Sequence, residues 1–242
     1  MNLNLTLVGL AIIAIVGSVI QRTTGIGFAL IVSPCYSILL GPVQGVILSN
    51  LTSLGINLAI LALTWRDVDW KRLPYLVVPG VLAVIPGGWI ALTLPSPFLS
   101  IVVGAAVLVA AVLAMRRPAI PALAGRWGII GAGASSGFMN AIAGVGGPPI
   151  AIYAATTNWS IASFIPTSQV TYISVNFTSL LVKGWPSAGW TELSAAVVGV
   201  GIGALLGAIV ANKIPEKQCF VLALVVAAIG GTAGIVRGVV SL

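Results

Sequence analysis

The feature of the sequence with the clearest chemical potential is a run of glycines and prolines from Gly144 to Pro149, inside a long uncharged apolar stretch. Glycine lets the backbone approach closely and proline removes an amide donor, so an ordinary helix cannot continue through this run. Lipid tolerates non-helical backbone only where protein buries it or where it lines a water-filled cavity. The run therefore indicates a helix break inside a membrane. It is either a simple kink or tight turn, or a binding site built from freed backbone N–H groups at a helix N-terminus.

Two stripes of polar side chains follow predicted breaks. Asn50, Ser53 and Asn57 have the spacing i, i+3, i+7, which places them on one helical face. The same spacing joins Gln169, Tyr172 and Asn176. Amides facing lipid would be costly, so both stripes are expected to face the protein interior. They line a cavity or form hydrogen bonds between helices, and for the neighbouring hydroxyls we weigh both roles equally. Those hydroxyls belong to Ser49, Thr52, Ser168 and Thr171.

An internal repeat relates the two stripes. A shift of 119 residues places Gly25 and Gly27 on Gly144 and Gly146, and polar residues of the first stripe on polar residues of the second. No gap is needed over this part of the chain. The rare polar residues are the ones that coincide, so we interpret the repeat as real.

Composition places the chain in a membrane. It is 59% hydrophobic and 6% charged, with mean hydropathy +1.15, whereas soluble domains carry roughly 25% charged residues. The net charge of +7 comes from sparse residues between apolar segments, which argues against nucleic-acid binding. Cys35 and Cys219 are isolated and histidine is absent, so no metal, cofactor or enzymatic activity is predicted.

Ten apolar segments are predicted, at roughly 3–20, 25–40, 44–64, 73–94, 98–115, 127–142, 147–158, 161–182, 191–211 and 218–236. The expected fold is an all-α integral membrane domain over residues 1–242, with repeat 1 at 1–115, a linker at 116–126 and repeat 2 at 127–242. Five segments per repeat would make the repeats inverted, with broken or re-entrant helices at Gly25–Gly27 and Gly144–Pro149. Counting residues 3–40 and 127–158 as single broken spans gives the alternative, two parallel repeats of four.

The charges predict an orientation. Nine of the eleven Lys and Arg residues fall in connections on one side of the ten-segment arrangement, which the positive-inside rule assigns to the cytoplasm. The 116–126 connection is then cytoplasmic and both termini are outside, in the inner membrane of a prokaryote. All seven tryptophans lie near segment ends, as in an aromatic belt.

The twin glycine breaks, the GVGGPP sequence and the polar segment after each break resemble the sulfite exporter TauE/SafE family. The likeness covers essentially the whole chain and is clearest from Gly137 to Asn176. The first repeat reads Gly25-Ile26-Gly27-Phe28-Ala29 and lacks the proline pair, so a milder break is expected there. The resemblance implies a small prokaryotic transporter of sulfite or an organosulfonate such as sulfoacetate.

The resulting hypothesis is a secondary transporter that moves a small anion by alternating access, with potential-driven uniport as one mode. An anion channel of the same fold and a non-catalytic subunit of a larger complex are the alternatives. The lipid bilayer and the anion are the expected partners, and the sequence allows a homodimer. The predicted substrate contacts are Gly25, Gly27, Phe28, Asn50, Thr52, Asn57, Gly144, Gly146, Gly147, Gln169, Thr171, Tyr172 and Asn176, with Arg22 as a further candidate.

Overall fold

The fold was analysed in a computed structural model that describes residues 3–116, 119–210 and 215–242. These residues form ten α-helices and no strand, and helix accounts for 87% of the structure. The helices are α1 (Leu3–Thr24), α2 (Phe28–Leu40), α3 (Pro42–Thr64), α4 (Leu73–Thr93), α5 (Ser96–Arg116), α6 (Arg126–Ala143), α7 (Gly147–Thr156), α8 (Ile161–Lys183), α9 (Trp190–Val210) and α10 (Glu216–Val240). The prediction of an all-α membrane protein is confirmed.

Six helices are long and apolar enough to cross a bilayer: α1, α3, α4, α5, α9 and α10. The other four differ for two reasons. With 13 and 10 residues, α2 and α7 fall short of the roughly 20 that a span needs. By contrast α6 and α8 are long, but they carry many of the glycines and polar residues that the sequence singles out. We therefore expect these four helices to line a polar site inside the bundle.

Each short helix folds back along the helix before it. The Tyr36 hydroxyl of α2 donates to the carbonyl oxygen of Leu10 in α1 at 3.1 Å. The backbone N–H of Ile120, just before α6, donates to Oγ1 of Thr156 at the end of α7 at 3.0 Å. Both pairs are thus antiparallel hairpins.

One end of the bundle, here called the basic end, gathers the connections that precede α4, α6 and α8. The backbone N–H of Asp69 donates to Oγ1 of Thr167 at 2.9 Å, and the Arg126 guanidinium lies 5.0 Å from the ring centre of Tyr75. The cationic residues at the helix ends and connections here include Arg66, Lys71, Arg72, Arg116 and Arg126.

The other end of the bundle, the opposite end, holds the connections from α2 to α3 and from α8 to α9. The backbone N–H of Ser187 donates to Oε1 of Gln44 at 2.8 Å, and Arg237 of α10 donates to the carbonyl oxygen of Ile38 at 2.6 Å. The first hairpin has its free ends here and its turn inside the protein, whereas the second hairpin has its free ends at the basic end.

Small residues allow the closest helix contacts. A Cβ atom placed on Gly137 of α6 would lie 2.0 Å from the carbonyl oxygen of Gly80 in α4. One placed on Gly104 of α5 would lie 2.4 Å from the carbonyl oxygen of Gly231 in α10. Similarly, Gly199 of α9 rests on the backbone of α1. Such glycine contacts are typical of membrane bundles, where close backbone approach replaces the hydrophobic effect between helices.

Large apolar side chains cover the outside of the bundle, as contact with lipid requires. Six tryptophans are more than half exposed, in agreement with an aromatic belt: Trp65, Trp70, Trp89, Trp127, Trp185 and Trp190. The exception is Trp159, which is 8% exposed and packs against Tyr153 and Phe164. It belongs to the interior rather than to the belt.

Candidate functional site between the hairpin turns

The two hairpin turns are built in the same way. Gly25 and Gly144 have φ values of +76° and +71°, in the left-handed region that favours glycine. In each turn the glycine N–H donates at 2.8 Å to the carbonyl oxygen four residues earlier, which belongs to Gln21 in one case and Asn140 in the other. A glycine at this position ends the first helix of each hairpin and lets the chain reverse direction.

A cavity of about 30 Å³ lies between the two turns, which is room for a water molecule or a small ion. Its polar side chains are Gln21, Ser53, Asn57, Asn140, Tyr172 and Asn176. The rest of its wall is Ile26, Phe28, Ala29, Leu30 and the residues from Gly144 to Pro148. Every residue in this wall is uncharged, so a bound ion would be stabilised by dipoles rather than by an opposite charge.

Several donors face the cavity without a partner of their own. The side chains of Ser53 and Asn57 make no hydrogen bond within the described residues. Asn140 donates from Nδ2 to Oδ1 of Asn176 at 2.9 Å, which leaves the Asn176 amide nitrogen without a partner among the described residues. The Oδ1 of Asn140 is buried and likewise unpartnered there, but this atom is an acceptor and not a donor. Amides of this kind can donate to an oxyanion without neutralising it.

The starts of α2 and α7 also meet at this cavity. Phe28 and Gly147, the first residues of the two helices, both belong to its wall, and neither preceding glycine provides a side-chain cap. The positive dipole ends of two helices therefore converge on one small volume, which favours an anion. The Phe28 N–H at the start of α2 is already bonded to Oε1 of Gln21. Pro148 removes one donor from α7, so the N–H groups of the adjoining glycines are the ones available.

The model of the sulfite exporter TauE/SafE family matches residues 10–235. The chain belongs to the sulfite exporter TauE/SafE family. This establishes a transporter-type membrane protein and confirms the resemblance drawn from the glycine breaks. No curated protein and no solved structure gives a significant match.

In this TauE/SafE chain, seven of the predicted contact residues share the wall of the cavity. They are Phe28, Asn57, Gly144, Gly146, Gly147, Tyr172 and Asn176. Gly146 allows α6 and the second turn to pack closely, because a Cβ atom on it would lie 2.9 Å from the Ser136 carbonyl oxygen of α6. A Cβ atom on Gly147 would instead make only ordinary contacts, with the Tyr172 hydroxyl at 3.5 Å as the nearest atom.

The remaining predicted contacts lie outside the wall of this cavity. Gly25 and Gly27 shape the first turn, where a Cβ atom on Gly27 would lie 2.3 Å from the Ile20 side chain. Asn50 is fully buried, donates to Oγ of Ser179 at 2.7 Å and lies behind Gly144. Asn50 thus links α3 to α8 near the second turn.

Three other predicted contacts, which lie on the polar stripes or beside them, form side-chain hydrogen bonds within their own helix. The hydroxyls of Thr52 and Thr171 donate to carbonyl oxygens one turn earlier, at 2.8 Å and 3.0 Å. Gln169 donates to the Ile165 carbonyl oxygen at 3.3 Å, and its own oxygen is buried without a partner among the described residues. Arg22 packs its aliphatic stem against Gly207 of α9. Their roles in binding stay predictions.

Two amides of the cavity wall, Gln21 and Asn140, were not predicted from the sequence. Gln21 accepts a hydrogen bond from the Phe28 N–H at 2.9 Å and donates to the Gly25 carbonyl oxygen at 3.1 Å, so it ties both sides of the first turn together. The internal repeat could have indicated both amides, because the 119-residue shift that aligns the glycines also places Gln21 on Asn140.

Proposed function

We propose that this protein is a secondary transporter that binds a small sulfur-containing oxyanion between the two hairpin turns. Sulfite, sulfoacetate and related organosulfonates are the substrate class that we propose. The observation that carries this proposal is the convergence of two helix starts on one cavity, together with the Asn57 and Asn176 amide donors, which have no partner among the described residues. Family membership supports transport as the activity.

Neutral ligands suit a transported anion. A site with a fixed cation would hold the anion through a strong, poorly screened interaction in a low-dielectric interior. Amide and backbone donors supply about 1.5–3 kcal/mol per hydrogen bond to a charged acceptor, and part of this offsets the loss of hydration. The resulting affinity is moderate, so the substrate can leave on the far side.

We further propose that the two halves are inverted repeats that exchange the side from which the site is reached. Their contacts support a two-fold relation, because α1 packs on α9 while α4 packs on α6. The correspondence extends to single residues. Gly80 lies against Gly133 and Gly199 against Ala14, and the 119-residue shift converts one pair into the other. The hairpins open toward opposite ends, as inverted repeats would.

Orientation follows from the basic end, which we assign to the cytoplasm by the positive-inside rule. An inside-negative potential then drives an anion outward by about 2.3 kcal/mol per charge per 100 mV. Export as uniport needs no coupling ion. We therefore propose exporter activity in the inner membrane of a prokaryote, with both termini outside.

Reconstitution of the purified protein tests this proposal. Liposomes loaded with radiolabelled sulfite or sulfoacetate should lose the label faster with the protein than without it, and faster when the potential is negative on the side of the anion. A transporter should saturate with substrate and show no single-channel conductance. Continuous conductance would instead assign the channel alternative, and a protein inert toward every organosulfur anion would contradict the proposed function.

A further inference from the structure

A second cavity, of about 440 Å³, lies beside the first and is here called the vestibule. It is lined by the first hairpin turn, by α7, by the connection from α7 to α8 and by the start of α8. Trp159 in its wall is stacked under Arg72 at 4.6 Å, which places the vestibule at the basic end. Its polar side chains are those of Thr23, Thr24, Asn158 and Ser160.

Ile26 belongs to the walls of both cavities. The side chain of this one residue, which is 7% exposed, therefore stands between the vestibule and the site between the turns. A small rotation of an isoleucine side chain, or a small shift of the first turn, would join the two volumes. The path from the basic end to the site is thus short and nearly continuous.

The equivalent space at the opposite end is filled. Val145, the repeat counterpart of Ile26, is 1% exposed and packs in a core cluster with Leu30 and Val46. Cys35 and Val46 occupy the positions that Ala154 and Ile165 hold in the vestibule. A much smaller cavity, of about 20 Å³, lies at this end beside Pro42 and Arg237, and packed side chains cover the second turn.

A difference in side-chain size explains this asymmetry. A Cβ atom on Gly45 of α3 would lie 2.3 Å from the backbone nitrogen of Ser37, so α2 and α3 are in backbone contact. The repeat counterpart of Gly45 is Phe164 of α8, whose side chain lines the vestibule. An aromatic ring at that position keeps α7 away from α8 and leaves the vestibule open.

Two side chains from other helices hold the second turn in place. The last carbonyl groups of α6 have no donor within the helix. Lys183 of α8 donates from Nζ to the Ala141 carbonyl oxygen at 2.9 Å, and the Ser33 hydroxyl of α2 donates to the Ala143 carbonyl oxygen. In the first turn, the side-chain hydrogen bonds between described residues stay within residues 19–28.

We propose that the vestibule is the site where the anion enters and leaves at the basic end, and that Lys183 and Ser33 hold the route to the opposite end closed. The proposal rests on the function proposed above and adds to it the path, the gate residue Ile26 and the two residues that position the second turn. The ligand of the vestibule is the same hydrated oxyanion, bound by hydroxyl and amide groups before it passes Ile26.

Thiol labelling tests the vestibule, because Ala154 and Cys35 are repeat counterparts on the two sides. In a Cys35→Ala, Cys219→Ala background, Ala154→Cys should react with a small membrane-impermeant methanethiosulfonate from the same face as the exposed reference Ala119→Cys. In the parent protein, Cys35 should resist the reagent from both faces. Reaction of Ala154→Cys from the opposite face, or its protection while Ala119→Cys reacts, would overturn the vestibule assignment.

Lys183→Met tests the closure. Removing the ammonium group frees the second turn, so Cys35 should react roughly tenfold faster, and from the face that labels the exposed reference Ser187→Cys. Ser33→Ala should act in the same direction, and Lys183→Arg, which keeps a donor, should restore protection. Lys217→Met, a charge removed at the start of α10, is the control and should leave Cys35 unreactive.

If the labelling rate of Cys35 is unchanged in both Lys183→Met and Ser33→Ala, these residues do not hold the second turn closed. Monodispersity of each variant in detergent separates this result from unfolding. Labelling requires no transport, so a failure here is distinguishable from a failure of the proposed function, which the loaded liposomes measure. If labelling behaves as expected but no anion is transported, the path stands and the substrate class is wrong.

Discussion

Replacing Gly147 by alanine adds one methyl group to the site while leaving the fold room to accept it. A Cβ atom at this position lies 3.5 Å from the Tyr172 hydroxyl and 3.7 Å from the Ile26 Cβ, both of which are ordinary contacts. Tyr172 and Ile26 share the wall of the cavity with Gly147, so the methyl group enters the volume that we assign to the anion. Gly147 begins α7 without a positive φ, and its backbone therefore suits alanine.

The expected loss of anion affinity follows from the small volume of the site. Extra carbon in a well-packed volume costs about 1–3 kcal/mol, which corresponds to about 5- to 150-fold in affinity. A cavity of about 30 Å³ offers little room for adjustment. Alanine also restricts the unfolded chain more than glycine does, which favours the folded state where the backbone suits it. Gly147→Ala should therefore lose binding while its thermal stability is kept or slightly raised.

Gly131→Ala is the matched control. Gly131 lies in α6, and a Cβ atom there meets nothing within 4 Å. Both variants add one methyl group to a helix that has room for it, but only Gly147→Ala narrows the cavity. Sulfite affinity and melting temperature should be measured on both purified proteins. If Gly147→Ala binds and transports like the parent while both variants are folded, the anion does not occupy the volume between the turns.

Three further predictions concern the amides, the orientation and the helix packing. Asn57→Leu and Asn176→Leu should each weaken anion binding about tenfold or more, as measured by titration. Each removes a hydrogen bond to a charged ligand worth about 1.5–3 kcal/mol. Thr178→Val is the control and should leave the affinity unchanged, because the Thr178 hydroxyl bonds only within α8. Ala119→Cys should resist an impermeant maleimide in intact cells, and ready labelling would reverse the assigned orientation. Gly137→Ala should abolish monodisperse expression, because its Cβ would lie 2.0 Å from a carbonyl oxygen of α4; a folded variant of normal melting temperature would refute that packing.

The helices could be predicted well from sequence because their boundaries have local causes. Charges, Gly and Pro mark helix ends, and all ten predicted segments correspond to helices. The 119-residue repeat also aligned the two turns correctly, since Gly25 and Gly144 share a positive φ. The reversal of chain direction at each turn could not be predicted from sequence, because a glycine break is compatible with both a hairpin and a kinked span.

The site was predicted only in part, because periodicity gives the face of a helix but not the depth along it. Asn50 and Asn57 lie on one face, yet seven residues separate them by about 10 Å. Only Asn57 reaches the cavity, and Asn50 binds Ser179 instead. Gln21 was not predicted because the cationic Arg22 beside it is the more obvious partner for an anion, and one residue along a helix turns the side chain by about 100°.

Locating the anion directly is the measurement that tests the central claim. Selenite is a heavier analogue of sulfite, and its anomalous scattering identifies it in crystals of the protein. We expect a selenium peak in the cavity between the two turns, within hydrogen-bonding distance of the Asn57 and Asn176 amides. An ordered selenium peak elsewhere in the protein, with only water between the turns, would contradict it.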